Sequence, residues 1–104
     1  MFKGTTPTYT FTLPEDIDLS SAESVYVTFS KPNYENILTK QDNELEVSGN
    51  VVSVYLTQDE TLEFPKGDIL IQLNWLYADG NETKRACSEI VTDRVKRNLV
   101  NEVI

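Results

Sequence analysis

Residues 68–77 have the sequence DILIQLNWLY, and this stretch decides the fold class. Its apolar side chains recur at every second position: Ile69, Ile71, Leu73, Trp75 and Tyr77. A repeat of two is typical of a β-strand with one buried face, because successive side chains of a strand point to opposite sides. The other face also carries Leu70 and Leu76, which favours a central strand that is partly covered on its outer face too.

Shorter stretches with the same alternation lie on both sides of this segment. They predict strands at residues 8–13, 24–29, 36–40, 44–47 and 51–56 before it, and one strand at residues 83–95 after it. Two of the connections contain Gly49 and Gly80 beside asparagine. Both are typical of hairpin turns, because glycine and asparagine accept positive φ angles.

The segment Thr57-Gln58-Asp59-Glu60 has the pattern of a helix capping box, and Pro65 follows shortly after it. We predict one helical turn near residues 58–63, linking strands of two different sheets. About seven strands with one helical turn indicate an all-β protein. The expected fold is an antiparallel two-sheet β-sandwich of immunoglobulin-like architecture over residues 1–97, followed by an apolar C-terminal tail at residues 98–104. An open barrel is the alternative.

The charge of the chain excludes two classes of partner. Its 17 carboxylates outnumber its nine lysines and arginines, for a formal net charge of -8. Binding to nucleic acid requires a cationic face that neutralises phosphates. Adhesion to an anionic membrane requires basic clusters as well. We therefore expect neither nucleic acid nor membrane as a partner, and solubility is the simplest role of the charge.

The basic residues are concentrated near the end of the chain. Residues 1–83 carry four basic and 14 acidic side chains, whereas residues 84–104 carry five basic and three acidic ones. An acidic body with a basic end suits head-to-tail contact between copies or contact with an acidic neighbour, although chance produces such a distribution too. We predict that the tail docks on a neighbouring protein, and packing on its own domain is the alternative. The residues of this predicted contact are Arg94, Lys96, Arg97, Leu99, Val100, Val103 and Ile104.

Groups that perform chemistry are scarce. The chain has no histidine, which removes the commonest general base and metal ligand. Cys87 is the only cysteine and has no partner for a disulfide, so a buried, inert thiol is expected. No glycine-rich phosphate loop is present. We predict a protein that is not an enzyme and has no catalytic residue, no metal site and no cofactor.

Two groups of carboxylates are the remaining candidates for chemistry. Glu44 and Glu46 share a strand face at a spacing that an inverting glycosidase could use, but a solvated strand face of an acidic protein is the favoured interpretation. Glu15, Asp16 and Asp18 have the hard oxygen ligands that Ca²⁺ prefers, but they lack a regular loop spacing. Capping of turns is the favoured role for these three.

Aromatic residues offer a second kind of surface. Trp75 and Tyr77 are in phase with the buried face of their strand and are expected in the core. Tyr26 and Tyr55 alternate against the buried faces, and Tyr34 lies in a loop, so these three are candidates for surface contact with sugar or protein.

Several motifs, in order along the chain, carry a resemblance to a known group of proteins. They are KGTTPTYTFTLP at residues 3–14, VYLTQDET at residues 54–61, IQL at residues 71–73 and LVNEVI at residues 99–104. With them the chain resembles small proteins encoded in the structural gene clusters of phages and prophages of Gram-positive gut bacteria. Separately, DLSSAESV at residues 18–25 is similar to a segment in the N-terminal sandwich domains of phage baseplate proteins. Lys84 and Arg85 make the strand after the hairpin more charged than in that group.

The resemblance implies a virion-associated structural protein of the capsid, connector, tail or baseplate. Its expected partners are other virion proteins and copies of itself, and it implies no active site. The expected location is the virion, after synthesis in the cytoplasm of the bacterial host, because residues 1–6 lack the apolar core of a signal peptide. The alternative function is a carbohydrate- or receptor-binding sandwich module that uses Tyr26, Tyr34 or Tyr55.

Overall fold

The computed structural model describes all residues, 1–104, which form eight strands, one short α-helix and two 3₁₀ turns. The strands are β1 (Thr8–Thr12), β2 (Ser24–Ser30), β3 (Asn36–Gln41), β4 (Leu45–Ser48), β5 (Val51–Tyr55), β6 (Gly67–Asp79), β7 (Glu82–Cys87) and β8 (Val91–Val95). The helix α1 spans Gln58–Leu62, and the 3₁₀ turns span Leu19–Ser21 and Asp42–Glu44. None of the helices has the length and apolar character needed to cross a membrane.

The strands form two antiparallel sheets that pack face to face. The smaller sheet has the order β1-β5-β4, and the larger one has the order β3-β2-β6-β7, with β8 also paired to β6. The chain crosses between the two layers after β1, β3 and β5, as connections do in immunoglobulin-like domains. The predicted antiparallel two-sheet β-sandwich is confirmed.

The last predicted strand, at residues 83–95, is two strands, so the structure has eight strands where about seven were predicted. β7 and β8 pair with different halves of β6, and Ser88 lies between them. The Ser88 N–H donates to the Leu73 carbonyl at 2.8 Å, and the Ser88 hydroxyl accepts from the Leu73 N–H at 3.0 Å. A side chain thus replaces a backbone partner at the break, which the alternation of apolar residues does not reveal.

The core lies between the two sheets and is built from their inner faces. β6 contributes four of the five side chains that alternation predicted to be buried: Ile69, Ile71, Leu73 and Trp75. The other buried apolar residues are Leu19, Val25, Val27, Phe29, Leu45, Val52, Val54, Leu56, Phe64 and Val95. Phe29 of β2 packs edge-to-face against Tyr9 of β1, with ring centroids 5.6 Å apart. Aromatic quadrupoles favour this geometry, and here it joins the two layers.

The crossing from β5 to β6 contains α1, whose first turn is held by a capping box. Thr57 Oγ1 accepts from the Glu60 N–H at 3.3 Å, and Glu60 Oε1 accepts from the Thr57 N–H at 2.8 Å. Each contact satisfies a backbone donor that has no partner within the helix. The predicted helical turn and its role as a link between the sheets are confirmed.

Lys40 is a charged residue of β3, and its side chain is buried beside α1. Its Nζ lies 2.7 Å from Glu60 Oε1 and donates to the Tyr55 carbonyl at 2.8 Å. Burial alone would raise the pKa of Glu60, but hydrogen bonds from Lys40 and Thr57 lower this pKa below its ordinary value. Because a buried charge needs a partner, this contact holds β3, the end of β5 and α1 together.

A second polar contact joins β8 to β1. The Tyr9 hydroxyl donates to Asp93 Oδ2 at 2.6 Å, and the Arg94 N–H donates to Asp93 Oδ1 at 2.8 Å. Burial and the neighbouring carboxylate raise the pKa of Tyr9 above its ordinary value. Burial alone would raise the pKa of Asp93, but its hydrogen-bond donors lower that pKa instead. The pair therefore stays as a neutral hydroxyl on a charged carboxylate at neutral pH.

We predict that Lys40→Met lowers the free energy of unfolding by about 2–3 kcal/mol at neutral pH, because Glu60 keeps its charge and loses its partner. The pKa of Glu60 is lower in the folded state than in the unfolded state. The stability that this carboxylate contributes is therefore present above its unfolded pKa and is lost as the pH falls through its folded pKa. Urea unfolding across the acid range should show a shallower loss of stability for Glu60→Gln than for the unsubstituted protein.

The double variant Lys40→Met/Glu60→Gln serves as the control, since it removes both charges together. It should be more stable than Lys40→Met alone, because no unpaired carboxylate remains. Equal stability of Lys40→Met and the unsubstituted protein would show that the pair holds nothing together.

Candidate protein-interaction surfaces

The tail, residues 98–104, lies against the end of the sandwich that contains α1. Asn98 Nδ2 donates to the Lys3 carbonyl at 3.0 Å. Gln58 of α1 holds the other end of the tail, because its Oε1 accepts from the Ile104 N–H at 2.9 Å and its Nε2 donates to the Ile104 carbonyl at 3.1 Å. The tail is therefore held on its own domain by polar contacts at both ends.

The apolar side chains of the tail are exposed. Leu99 is fully exposed, Ile104 is 87% exposed, and Val100 and Val103 are 42% and 52% exposed. Single exposed apolar residues are ordinary on a protein surface, but a contiguous group of them marks an interaction site or an aggregation risk. Docking of the tail on a neighbouring protein stays a prediction, and these exposed apolar side chains are the surface that it would use.

The three basic residues predicted to accompany the tail are exposed as well. Arg94 Nη1 lies 3.6 Å from Asp68 Oδ1, in an exposed pair that holds little energy. The Lys96 ammonium lies 5.5 Å from the centre of the Phe2 ring. Arg97 takes part in no ion pair within the chain. This end of the molecule therefore presents positive charge beside apolar side chains.

A cavity of about 570 Å³ opens at the opposite end of β6, and the sequence analysis did not foresee it. Its apolar lining comes from Ile17, Ala22, Trp75, Tyr77, Ala78 and Ala86. Tyr77, expected in the core, is 37% exposed here, because β6 has 13 residues and the strands of the smaller sheet have five or fewer. In the sequence, only Ile17, an apolar residue between Asp16 and Asp18, indicated an apolar cavity at this end.

Two carboxylates line this cavity. Asp16 and Asp18 line it, and neither takes part in an ion pair. Asp18 Oδ1 also accepts from the Ser20 N–H at 3.0 Å, so it caps the turn at Leu19–Ser21 as predicted for this group. Lys84 of β7 pairs with Tyr77 of β6, and the Asp79 carboxylate 2.7 Å away neutralises it. The end of the sandwich with the cavity is therefore acidic.

The three candidate aromatic residues lie on two different faces. Tyr26 lines a cavity of about 330 Å³ on the outer face of the larger sheet, and Tyr34 lines a smaller one beside it. Thr28 contributes to both cavities, so the two tyrosines flank one continuous surface. Tyr55 lies on the outer face of the smaller sheet and is 52% exposed. The three tyrosines do not form one platform.

The other carboxylates form no metal cluster. No group of three or more histidine, cysteine, aspartate or glutamate side chains is placed to hold a metal ion. Glu44 belongs to a 3₁₀ turn and accepts from the Gln41 N–H at 3.1 Å, while Glu46 belongs to β4. Both line a surface cavity of about 390 Å³ that also contains Tyr55. Glu44 therefore has a structural role that its spacing from Glu46 did not reveal.

Cys87 is exposed, and the expectation of a buried thiol was wrong. It ends β7 opposite Asn74 of β6, while its neighbour Ala86, on the other face, pairs with Trp75. The alternation of β7 thus places the cysteine outward. Its strand-like surroundings in the sequence did not distinguish the inner face from the outer one.

We predict that Cys87 reacts stoichiometrically with a thiol reagent such as a maleimide in the folded protein, because its side chain is accessible. Mass spectrometry after labelling with and without urea measures this directly. The rate of labelling of Cys87 should rise little when urea unfolds the protein. Labelling that requires denaturant would place the thiol inside the sandwich and contradict the outward assignment.

Comparison with known proteins finds no matching family model, no matching curated protein and no matching solved structure. Function must therefore follow from the residues of this chain and from their arrangement.

Proposed function

We propose that this protein is a virion-associated structural protein of a tailed phage or prophage and that it acts by assembling with other proteins. Its site of action would be the capsid, connector, tail or baseplate, after synthesis in the cytoplasm of the host. Its partners would be other virion proteins and copies of itself. The resemblance of residues 3–14, 54–61 and 99–104 to products of phage structural genes supports the virion assignment.

The observation that carries the assembly role is the exposure of the tail. Leu99 and Ile104 are almost entirely in contact with water, although burying such a side chain is worth roughly 1.5–3 kcal/mol. Arg97 adds an unpaired positive charge next to them. A surface that combines exposed apolar side chains with arginine matches the composition of protein–protein contacts. The proposed role requires surfaces and no reactive group.

Deletion of residues 98–104 should abolish incorporation of the protein into particles and leave the sandwich folded, because the tail contributes no buried residue to the core. Particles induced from the encoding strain and purified on a density gradient provide the measurement, with the protein quantified by mass spectrometry. Circular dichroism of the purified truncated protein checks the fold.

A variant with the tail present separates its apolar contacts from its length. Leu99→Ser/Val103→Ser should behave like the deletion, whereas the matched substitutions Asn101→Ser/Glu102→Gln in the same segment should incorporate normally. Normal incorporation of the truncated protein would refute the role of the tail. Absence of the unsubstituted protein from purified particles would refute the virion assignment itself.

A carbohydrate- or receptor-binding module is the second candidate, and the cavity beside Tyr26 favours it. Asn74, Arg85 and two threonines line the same cavity, and the Arg85 Nε–H donates to Asn74 Oδ1 at 3.1 Å. An aromatic face with amide and guanidinium donors around it has the components that sugar hydroxyls require.

If this second candidate is right, the protein should retain host cell-wall glycans on an array, and Tyr26→Ala should weaken retention at least tenfold. Tyr55→Ala removes a more exposed tyrosine from the opposite face and should leave binding unchanged. Equal loss with both variants, or no retention by the unsubstituted protein, would exclude a glycan site at Tyr26.

A further inference from the structure

We infer that the tail of one copy inserts into the acidic end cavity of a second copy, so that copies associate head to tail. The end cavity is the space of about 570 Å³ that Ile17, Trp75, Tyr77 and Ala86 help to line. This inference rests on the proposed assembly role and deepens it, because it names one partner and the surface that receives it.

The two surfaces complement each other chemically. The tail presents Leu99, Val100, Val103 and Ile104 beside Arg94, Lys96 and Arg97, all of them exposed. The end cavity presents apolar and aromatic side chains with Asp16 and Asp18, which have no cationic partner within the chain. Its volume lies within the range of roughly 300–1,000 Å³ that accommodates ligands larger than two aliphatic side chains. Apolar groups thus meet an apolar cavity, and bases meet carboxylates.

The tail cannot reach the end cavity of its own chain. Val95, just before the tail, pairs with Gly67 at the start of β6, whereas Tyr77 in the cavity lies ten residues further along the same strand. A strand of that length covers about 33 Å. Hydrogen bonds to Met1 and Lys3 fix Lys96 and Asn98 beyond Val95. Only the seven residues 98–104 could therefore extend toward the cavity, and they span at most about 24 Å. Insertion therefore has to occur between copies.

The geometry also fixes the type of assembly. The tail and the end cavity lie at opposite ends of a molecule that measures 52 × 27 × 20 Å. A contact between two different surfaces is heterologous, so a pair of copies still has one free tail and one free cavity. Such contacts produce closed rings or open filaments, according to the rotation between successive copies.

The first test uses a synthetic peptide with the sequence of residues 94–104 and the full-length protein. Trp75 is the only tryptophan in the chain, and it lines both the end cavity and the cavity beside Tyr26, so its fluorescence responds to occupancy of either one. Asp16→Lys changes the lining of the end cavity alone and distinguishes the two, because it should weaken binding of the peptide only if the peptide occupies the end cavity. Titration should produce a saturable change in Trp75 emission. The affinity of the peptide should fall as salt is added, because salt screens the charge pairs. The peptide with Leu99→Ser/Val103→Ser should bind at least tenfold more weakly, because two apolar contacts are lost. No change in Trp75 emission with the unsubstituted peptide would overturn the inference.

The second test mixes two variants with opposite defects. Leu99→Asp/Val103→Asp blocks the tail and leaves the end cavity intact. Asp16→Lys/Ala86→Lys blocks the cavity and leaves the tail intact, and lysine can direct its ammonium group to water without disturbing the fold. Each variant alone should be a monomer by analytical ultracentrifugation, and their mixture should form a complex of one copy of each. Glu46→Lys/Ser53→Lys makes the same kinds of substitution on the smaller sheet and should self-associate like the unsubstituted protein.

The outcomes separate this inference from the proposed function. A monomeric unsubstituted protein at all concentrations, or a mixture of the two variants that stays monomeric, would overturn head-to-tail insertion. Circular dichroism verifies that each variant is folded, and if Asp16→Lys/Ala86→Lys is not, Asp16→Lys alone with the peptide titration takes its place. Incorporation into particles is measured separately, so a protein that enters virions as a monomer would leave the virion role standing and refute only this contact.

Discussion

The rest of the structure depends on the burial of one face of β6 against the smaller sheet. Ile69, Ile71 and Leu73 are at most 1% exposed, and β6 pairs with β2 on one edge and with β7 and β8 on the other. Because side chains alternate strictly, a slip of one residue would move this apolar row into water. The register of the larger sheet is therefore fixed by β6. The length of β6 has a second effect. β6 extends beyond the strands of the smaller sheet, so the far end of β6 is only partly covered, and this creates the end cavity.

Local chemistry accounts for the features that the sequence predicted correctly. Alternation located every strand except that it merged β7 and β8 into one, Thr57 and Glu60 formed the expected capping box, and Gly80 took the positive φ of the β6–β7 turn. The misses are non-local. Ser88 divides the last strand by bonding to Leu73, 15 residues earlier, and Lys40 turns inward because Glu60 and the Tyr55 carbonyl receive its charge. No pattern within a single strand reports a partner on another element.

The candidate surfaces also differ in whether the local sequence indicates them. The exposed tail could be recognised from the sequence, because four apolar residues close a chain segment that has no strand pattern of its own. The end cavity could not, since it is assembled from the loop around Ile17, the end of β6 and Ala86 of β7. The acidic character of that end likewise arises only in three dimensions. There the Asp79 carboxylate neutralises the local base Lys84, and Asp16 and Asp18 keep their charge uncompensated.

The contacts that hold the tail on its own domain are suited to exchange. They are hydrogen bonds of exposed groups, as between Gln58 and Ile104, or of half-buried ones, as between Asn98 and Lys3, and a bond of this kind contributes roughly 0.5–1.5 kcal/mol. Water replaces such bonds at little cost, whereas burying Leu99 or Ile104 against a partner is worth roughly 1.5–3 kcal/mol for each side chain. Association gains this energy only when a second surface is present, so the balance depends on protein concentration. The tail can therefore lie on its own domain in dilute solution and bind a neighbour where many copies are gathered together.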